Sequence, residues 1–294
     1  MDSPDIRDRV RLDHADVVAL NFIRADAPYL FRPHFRSGLR SHILEMLPRQ
    51  AVILESQGMA AGGVPFFPRA RPVKMLRIFR RRFTSLAEAL GETRRFKVLE
   101  RCLGPAHIAR SCEFYVDYRR GQRREILLCG LQDPVAGTGL DPWQVQRPGY
   151  LAELHERLRR ETGDRAGMAD ADFQRRLRGQ ARELIRRVRA MMTGDALVPD
   201  LAGVRNLLVT RGPRIVLVDI NNIHPLVRGP EIPLDDKGYP VLDRSLEALE
   251  RLGRGLLGRS ILARHPDYAL FFDPVRQRRV AALEAGFTAR AGAL

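Results

Sequence analysis

Residues 207–209 read Leu-Leu-Val and residues 215–218 read Ile-Val-Leu-Val, with Thr-Arg-Gly-Pro opening the gap between them. Apolar runs this short, bounded by turn residues, are strands, and so close together they fold back as a hairpin. The stretch 198–223 therefore reads as loop, strand, turn and strand. Three short polar side chains sit at the strand mouths: Asp200 upstream, Asn206 before the first strand and Asp219 after the second. Asn206 and Asp219 are 13 residues apart, which is room for a strand, a tight turn and a strand back. They are thereby expected at neighbouring strand ends. Oxygen-bearing side chains placed together suit a hard cation, since magnesium is held by one or two carboxylates and by substrate phosphates.

The rest of the chain sorts around that hairpin. Residues 1–50 read as a helical N-terminal extension, with HADVVALNFIRA and SGLRSHILEML at helical spacing. AVILES at 51–56 looks strand-like, QGMAAGGV is a glycine turn, and RPVKMLRIF is a strand. A helix is expected from Ser85 to Leu103, with Leu86, Leu90, Phe96, Leu99 and Leu103 on one face. SCEFYVDYRR and RREILLCGL form a hairpin around Gly121, and QDPVAGTGLDPW is a connector. Helices follow at 151–161 and 171–192, then from Asp243 as N-cap, and again near the end. Strands with one helix, a connector, and mostly helices around a small hairpin make an α+β pattern in two lobes.

Composition narrows the classes. The chain has 294 residues and a net charge of +15, which suits a nucleic acid, an anionic membrane surface or an acidic small molecule. Of 50 lysine and arginine residues only three are lysines, Lys74, Lys97 and Lys237. Where arginine has displaced lysine nearly everywhere, a retained lysine marks a place where a planar guanidinium fork does not serve. The arginines of 175–189 interleave with few aromatics, which disfavours stacking on single-stranded nucleic acid. An anionic membrane surface remains a partner for such faces. Cys102, Cys112 and Cys129 lack metal-ligand spacing and read as buried thiols in a reducing cytoplasmic setting, peripheral at the inner membrane if lipid is the partner. Neither HExxH nor a G-x-S-x-G elbow nor a Walker pattern occurs.

With these residues in order, the sequence resembles the protein-kinase-like superfamily, in a divergent bacterial branch similar to lipopolysaccharide core kinases and the YrbL group. In that family a catalytic loop, H-R-D-x-x-x-x-N, precedes a short hairpin and D-F-G. VPDLAGVRN stands for the loop and VDIN for the D-F-G region. Val198 and Pro199 replace His and Arg, Ile220 and Asn221 replace Phe and Gly, and the Asp-to-Asn interval is one residue longer. The resemblance implies a β-rich N-lobe with one long helix over 51–132 and a larger, mostly helical C-lobe over 133–294. It implies ATP and Mg2+ as cofactors, with Asn206 and Asp219 holding the metal and Asp200 receiving the acceptor's hydroxyl proton. Lys74 would hold phosphates, oriented by Glu92 or alternatively Glu88. Gly58 and Gly62 would belong to a phosphate-covering turn. The implied activity is transfer of a phosphoryl group from ATP to a hydroxyl on a sugar, a lipid-linked molecule or a protein. A pseudokinase that binds without catalysis, and a basic protein binding nucleic acid or a membrane surface, are the competing classes.

Overall fold

The computed structural model describes residues 5–24, 26–35, 40–163 and 167–291. Helix takes 41% and strand 22%, a mixed α and β protein. Contacts divide the chain into two compact units, Met1–Arg94 with Ala109–Pro134, and Arg95–Ile108 with Val135–Leu294. Among the described residues no helix is long and apolar enough to cross a membrane.

The first unit contains α1 (His14–Val18), β1 (Tyr29–Pro33), β2 (Ser41–Pro48), α2 (Arg49–Gln57), β3 (Met59–Ala61), β4 (Val64–Phe66) and β5 (Lys74–Phe79). The start of α3 (Leu86–His107) follows, then β6 (Ser111–Arg120) and β7 (Arg123–Gln132). Five strands make an antiparallel sheet in the order β1-β2-β5-β7-β6, while β3 and β4 pair only with each other. Ile6, Leu12, Val17 and Leu20 cover the sheet face that carries Phe31, Leu44, Leu76, Ile78, Val116 and Leu127. His42 Nε2 donates to the Ile6 carbonyl (2.9 Å), which ties this cover to β2.

Of the helical pieces expected in residues 1–50, HADVV forms α1, but the segment is part of the first unit and not an extension. Tyr29–Pro33 and Ser41–Pro48 are strands of the sheet, and residues 37–39 of the expected second helix lie outside the described residues. The misreading has a physical cause. β2 buries residues on both faces, so its apolar pattern does not alternate and mimics a helix. The reverse error falls on AVILES, whose β-branched residues suggest a strand but lie in α2, a helix with no buried residue.

The second unit holds the rest of α3, then β8 (Thr138–Gly139), α4 (Tyr150–Thr162), α5 (Asp170–Gly194), β9 (Leu197–Pro199) and β10 (Leu207–Val209). β11 (Ile215–Leu217), β12 (Ile223–Pro225), α6 (Val241–Leu257), a 3-10 turn (Pro266–Phe272) and α7 (Pro274–Ala291) complete it. The helix expected to end at Leu103 breaks at Gly104, whose φ of 62° leaves the helical region, just before Pro105. α5 buries a stripe of Phe173, Leu177, Ala181, Leu184, Ile185, Val188 and Met191, and its flanking Arg186 and Arg187 pair with Glu183. These i,i+3 and i,i+4 pairs lie on the solvated side of the helix. α6 starts after Pro240 rather than at Asp243. Asp243 is instead buried within its first turn, where the Arg276 guanidinium donates to it from α7 (2.6 Å).

Candidate functional site

The expected hairpin forms. β10 and β11 pair as Leu207↔Leu217, Leu208↔Val216 and Val209↔Ile215, and all six residues are buried. Thr210 N–H donates to the Arg214 carbonyl (3.0 Å) and closes the turn. Val218 N–H donates to the Asn206 carbonyl (2.9 Å), so Asn206 and the segment leading into Asp219 lie side by side at the hairpin's open end. A second short pair, β9 with β12, sets Pro199 opposite Ile223. Asp200 follows β9, and its N–H donates to the Asn222 carbonyl (2.8 Å).

The loop from Asp200 to Asn206 closes on itself. The Asp200 carboxylate accepts the N–H groups of Ala202 (2.9 Å) and Gly203 (3.0 Å) on one oxygen and the Asn222 side-chain amide (3.0 Å) on the other. The Asn206 amide donates to the Asp200 carbonyl (3.1 Å). That bond spans the interval that is one residue longer than the family's. Arg205 takes a left-handed φ of 61°, an arrangement that costs a non-glycine residue energy and tends to persist at functional sites. Gly203 leaves room for the Asn206 side chain, since a Cβ there would stand 2.3 Å from Asn206 Nδ2.

Electrostatics single out Asp200. Burial pushes its carboxyl up from the usual range, the Asp219 charge adds to the push, and the hydrogen bonds from Asn222, Gly203 and Ala202 oppose it. Asp219 is only half-buried and accepts from Asn221 N–H (3.3 Å). Asp200 and Asp219 are thus two electrostatically coupled carboxylates, one buried with both oxygens engaged and the other half-buried. Among the described residues no cluster of three or more His, Cys, Asp or Glu could hold a metal, so any cation here would need an amide or a substrate oxygen as well.

Sequence reasoning overlooked Asn222 and Gly203. Asn222 looked like one of two asparagines after a strand, yet it orients Asp200 and hydrogen-bonds the His224 ring through Oδ1. His107, by contrast, is structural, with Nδ1 donating to the Ile215 carbonyl (2.9 Å).

The expectations for the first unit need correction. Lys74 pairs with Asp133, and Glu92 accepts from Arg81 (2.8 Å), so Lys74 is not paired with Glu92. Glu88 accepts from Arg81 (3.3 Å) and from Thr84 N–H (2.9 Å). The reason is the period of the strand. Lys74 shares a sheet face with Leu76 and Ile78, the face covered by the N-terminal segment. Arg77 occupies the opposite face, buried, where it donates to Gln132 Oε1 (3.1 Å). Register places Tyr115 on that same face, and its hydroxyl donates to the Ala89 carbonyl of α3 (2.9 Å). Gly58 ends α2, and Gly62 with Gly63 turns the β3–β4 hairpin at φ of 59° and 80°. They make a tight hairpin turn on a strand pair separate from the five-stranded sheet. Among the cysteines only Cys129 is buried; Cys112 is exposed and Cys102 intermediate.

No protein-family model matches the chain, and no curated protein matches it.

Proposed function

We propose that this chain is an ATP- and magnesium-dependent phosphotransferase acting on a hydroxyl acceptor, with a two-lobed protein-kinase-like architecture. The observation that carries the reading is the closed loop in the second unit. There the Asn206 amide bonds the Asp200 carbonyl, a buried Asp200 resists its charge, and Asp219 follows the second strand at the same open end of the hairpin. Asn206 and Asp219 would hold magnesium, which neutralises charge on transferring phosphates. Asp200 would orient the acceptor hydroxyl and receive its proton, a task that a raised pKa favours. The order of the five-stranded antiparallel sheet, with a long helix between its third and fourth strands in sequence, supports the same reading. Lys74 and Glu92, which the resemblance gives the task of holding and orienting phosphates, pair here with Asp133 and Arg81 respectively.

The test is thermal stability of the full chain with ATP, with and without magnesium, followed by phosphoryl transfer to sugar, lipid-linked and protein hydroxyls. A ligand at a hundred times its Kd stabilises by about 2.7 kcal/mol, well within reach of a melt. A magnesium-dependent gain that disappears in Asp219→Ala is the expected result. No gain, or one that survives in Asp219→Ala, would overturn the proposal. One observation favours a binding-only pseudokinase: both Asp200 oxygens are already engaged by the loop and by Asn222. Magnesium-dependent ATP binding with no transfer to any acceptor would select that reading.

A further inference from the structure

Residues 59–67 read Met-Ala-Ala-Gly-Gly-Val-Pro-Phe-Phe, and every one of them is exposed. Nine exposed residues in succession carry no polar side chain. Met59 is 47% exposed, Val64 65%, Phe66 53% and Phe67 58%. A water-soluble surface scatters such residues singly, and a contiguous exposed apolar patch marks a place where something binds. The fold builds this patch firmly. Met59 pairs with Phe66 and Ala61 with Val64, Gly62 and Gly63 supply the tight turn, and the Phe67 ring lies so close over Gly58 that a Cβ there would meet it at 2.9 Å.

The charge around the hairpin indicates what covers it. From Ser56 to Ala87 the chain has no aspartate or glutamate, and Glu55 at the hairpin base is already neutralised by Arg32 and bonded to Ala70 N–H, while Arg69 and Arg71 follow the hairpin directly and are both exposed. An apolar tip with cations at its base is complementary to a bilayer of anionic lipid. The rings and methyls enter the boundary of the acyl chains, and the guanidinium groups stay at the phosphate level. The hairpin offers no side-chain donor or acceptor to a base or a peptide. Strand pairing with a second copy is opposed by Pro65, which lacks an N–H in the middle of β4. We propose that the β3–β4 hairpin is a membrane-inserting anchor that seats the protein on an anionic lipid surface. This inference rests on the first unit alone and does not depend on the phosphotransferase reading.

Co-sedimentation of the full chain with phosphatidylcholine vesicles, with and without a phosphatidylglycerol fraction, tests it. Binding is expected only with phosphatidylglycerol and is expected to weaken as salt rises. Phe66→Ser combined with Phe67→Ser is expected to lower vesicle affinity by about tenfold or more while the cooperative melt is retained, because both rings are more than half exposed. Arg69→Ala with Arg71→Ala is expected to remove the preference for anionic lipid. Equal binding by the phenylalanine variant would overturn the proposal, as would failure to bind phosphatidylglycerol vesicles at low salt. So would a phenylalanine-dependent dimer in sedimentation velocity, or phenylalanine-dependent binding to single-stranded RNA without binding to vesicles.

Discussion

Asp200 and Asp219 oppose one another, and the opposition has a measurable sign. Burial and the Asp219 charge raise the Asp200 pKa in the folded state. A carboxyl with a raised folded pKa favours the fold while protonated, below the unfolded value of about 3.9, and loses that contribution as pH rises through the folded value. At neutral pH the ionised pair therefore costs stability. Asp219→Asn is expected to raise the melting temperature at pH 7 while abolishing the magnesium-dependent response to ATP, a trade common at active sites. A melting series over pH with both proteins checks it, and a lower melting temperature for the variant would refute it. Gly203→Ala acts sterically instead. A Cβ 2.3 Å from Asn206 Nδ2 must push that side chain aside. The expected cost is about 1–3 kcal/mol in chemical denaturation, together with loss of transfer activity. The polar residues of the hairpin were legible because spacing along two short strands fixes which ends meet. Asn222 was not, because its role depends on β9 meeting β12 across more than twenty residues of chain, and Gly203 was not, because only the folded loop lays the Asn206 side chain against it.

Elements were legible where one pattern ruled them. α4 and α5 show an apolar stripe at helical spacing, β6 and β7 run to a glycine turn, and each forms as its sequence suggests. β2 and α2 exchanged appearances because β2 is buried on both faces and α2 on neither. At the end of α6 a single carboxylate organises a loop that has no periodicity to read. Glu250 accepts the N–H groups of Ile261 (2.9 Å), Leu262 (2.8 Å) and Ala263 (3.3 Å) and the Arg254 guanidinium (2.6 Å). Burial opposes its ionisation, but the hydrogen bonds from Leu262, Arg254 and Ile261 outweigh burial and hold its pKa down to about 2. A depressed carboxyl stabilises above its unfolded value of about 4.3 and loses that contribution as pH falls toward the folded value. Wild-type stability is thus expected to decline from about pH 4 toward pH 2, and Glu250→Gln to flatten that decline. At neutral pH the same variant is expected to cost about 2 kcal/mol, measured by urea denaturation. His42 carries the opposite charge type. Burial, helped by the Arg80 charge, lowers its pKa from 6.5 to about 4, so the unfolded chain binds the extra proton. Stability is expected to fall between pH 6.5 and 4 as that proton pulls toward the unfolded state, and His42→Phe should remove this slope.

At the scale of the whole molecule, the N-terminal fifty residues decide whether the first unit exists. Their reading as an appendage was natural, because an apolar residue in a short irregular segment carries no period that names its partner. Ile6, Leu12, Val17 and Leu20 lie 4%, 2%, 0% and 7% exposed against the sheet, and β1 and β2 supply two of its five strands. Removing the first 27 residues would leave the sheet but uncover Leu76, Ile78, Val116 and Leu127 on one face. Emptying a single core site costs about 2–5 kcal/mol, and four such losses, roughly 8–20 kcal/mol, are as large as the 5–15 kcal/mol that usually holds a domain folded. The buried Asp5 would go with them. Its carboxylate is held well below the usual range because its bonds and pairing with Arg7 and Arg82 outweigh burial. A chain beginning at Pro28 is therefore expected to lose the cooperative melt of the first unit and to be cut by protease within β5 to β7. The second unit, whose own core includes Phe173, Leu184, Leu246 and Phe271, is expected to survive as a resistant fragment. Limited proteolysis with mass spectrometry distinguishes the outcomes. A truncated chain that melts like the full one, with β5 to β7 protected, would show that the cover is dispensable and restore the appendage reading.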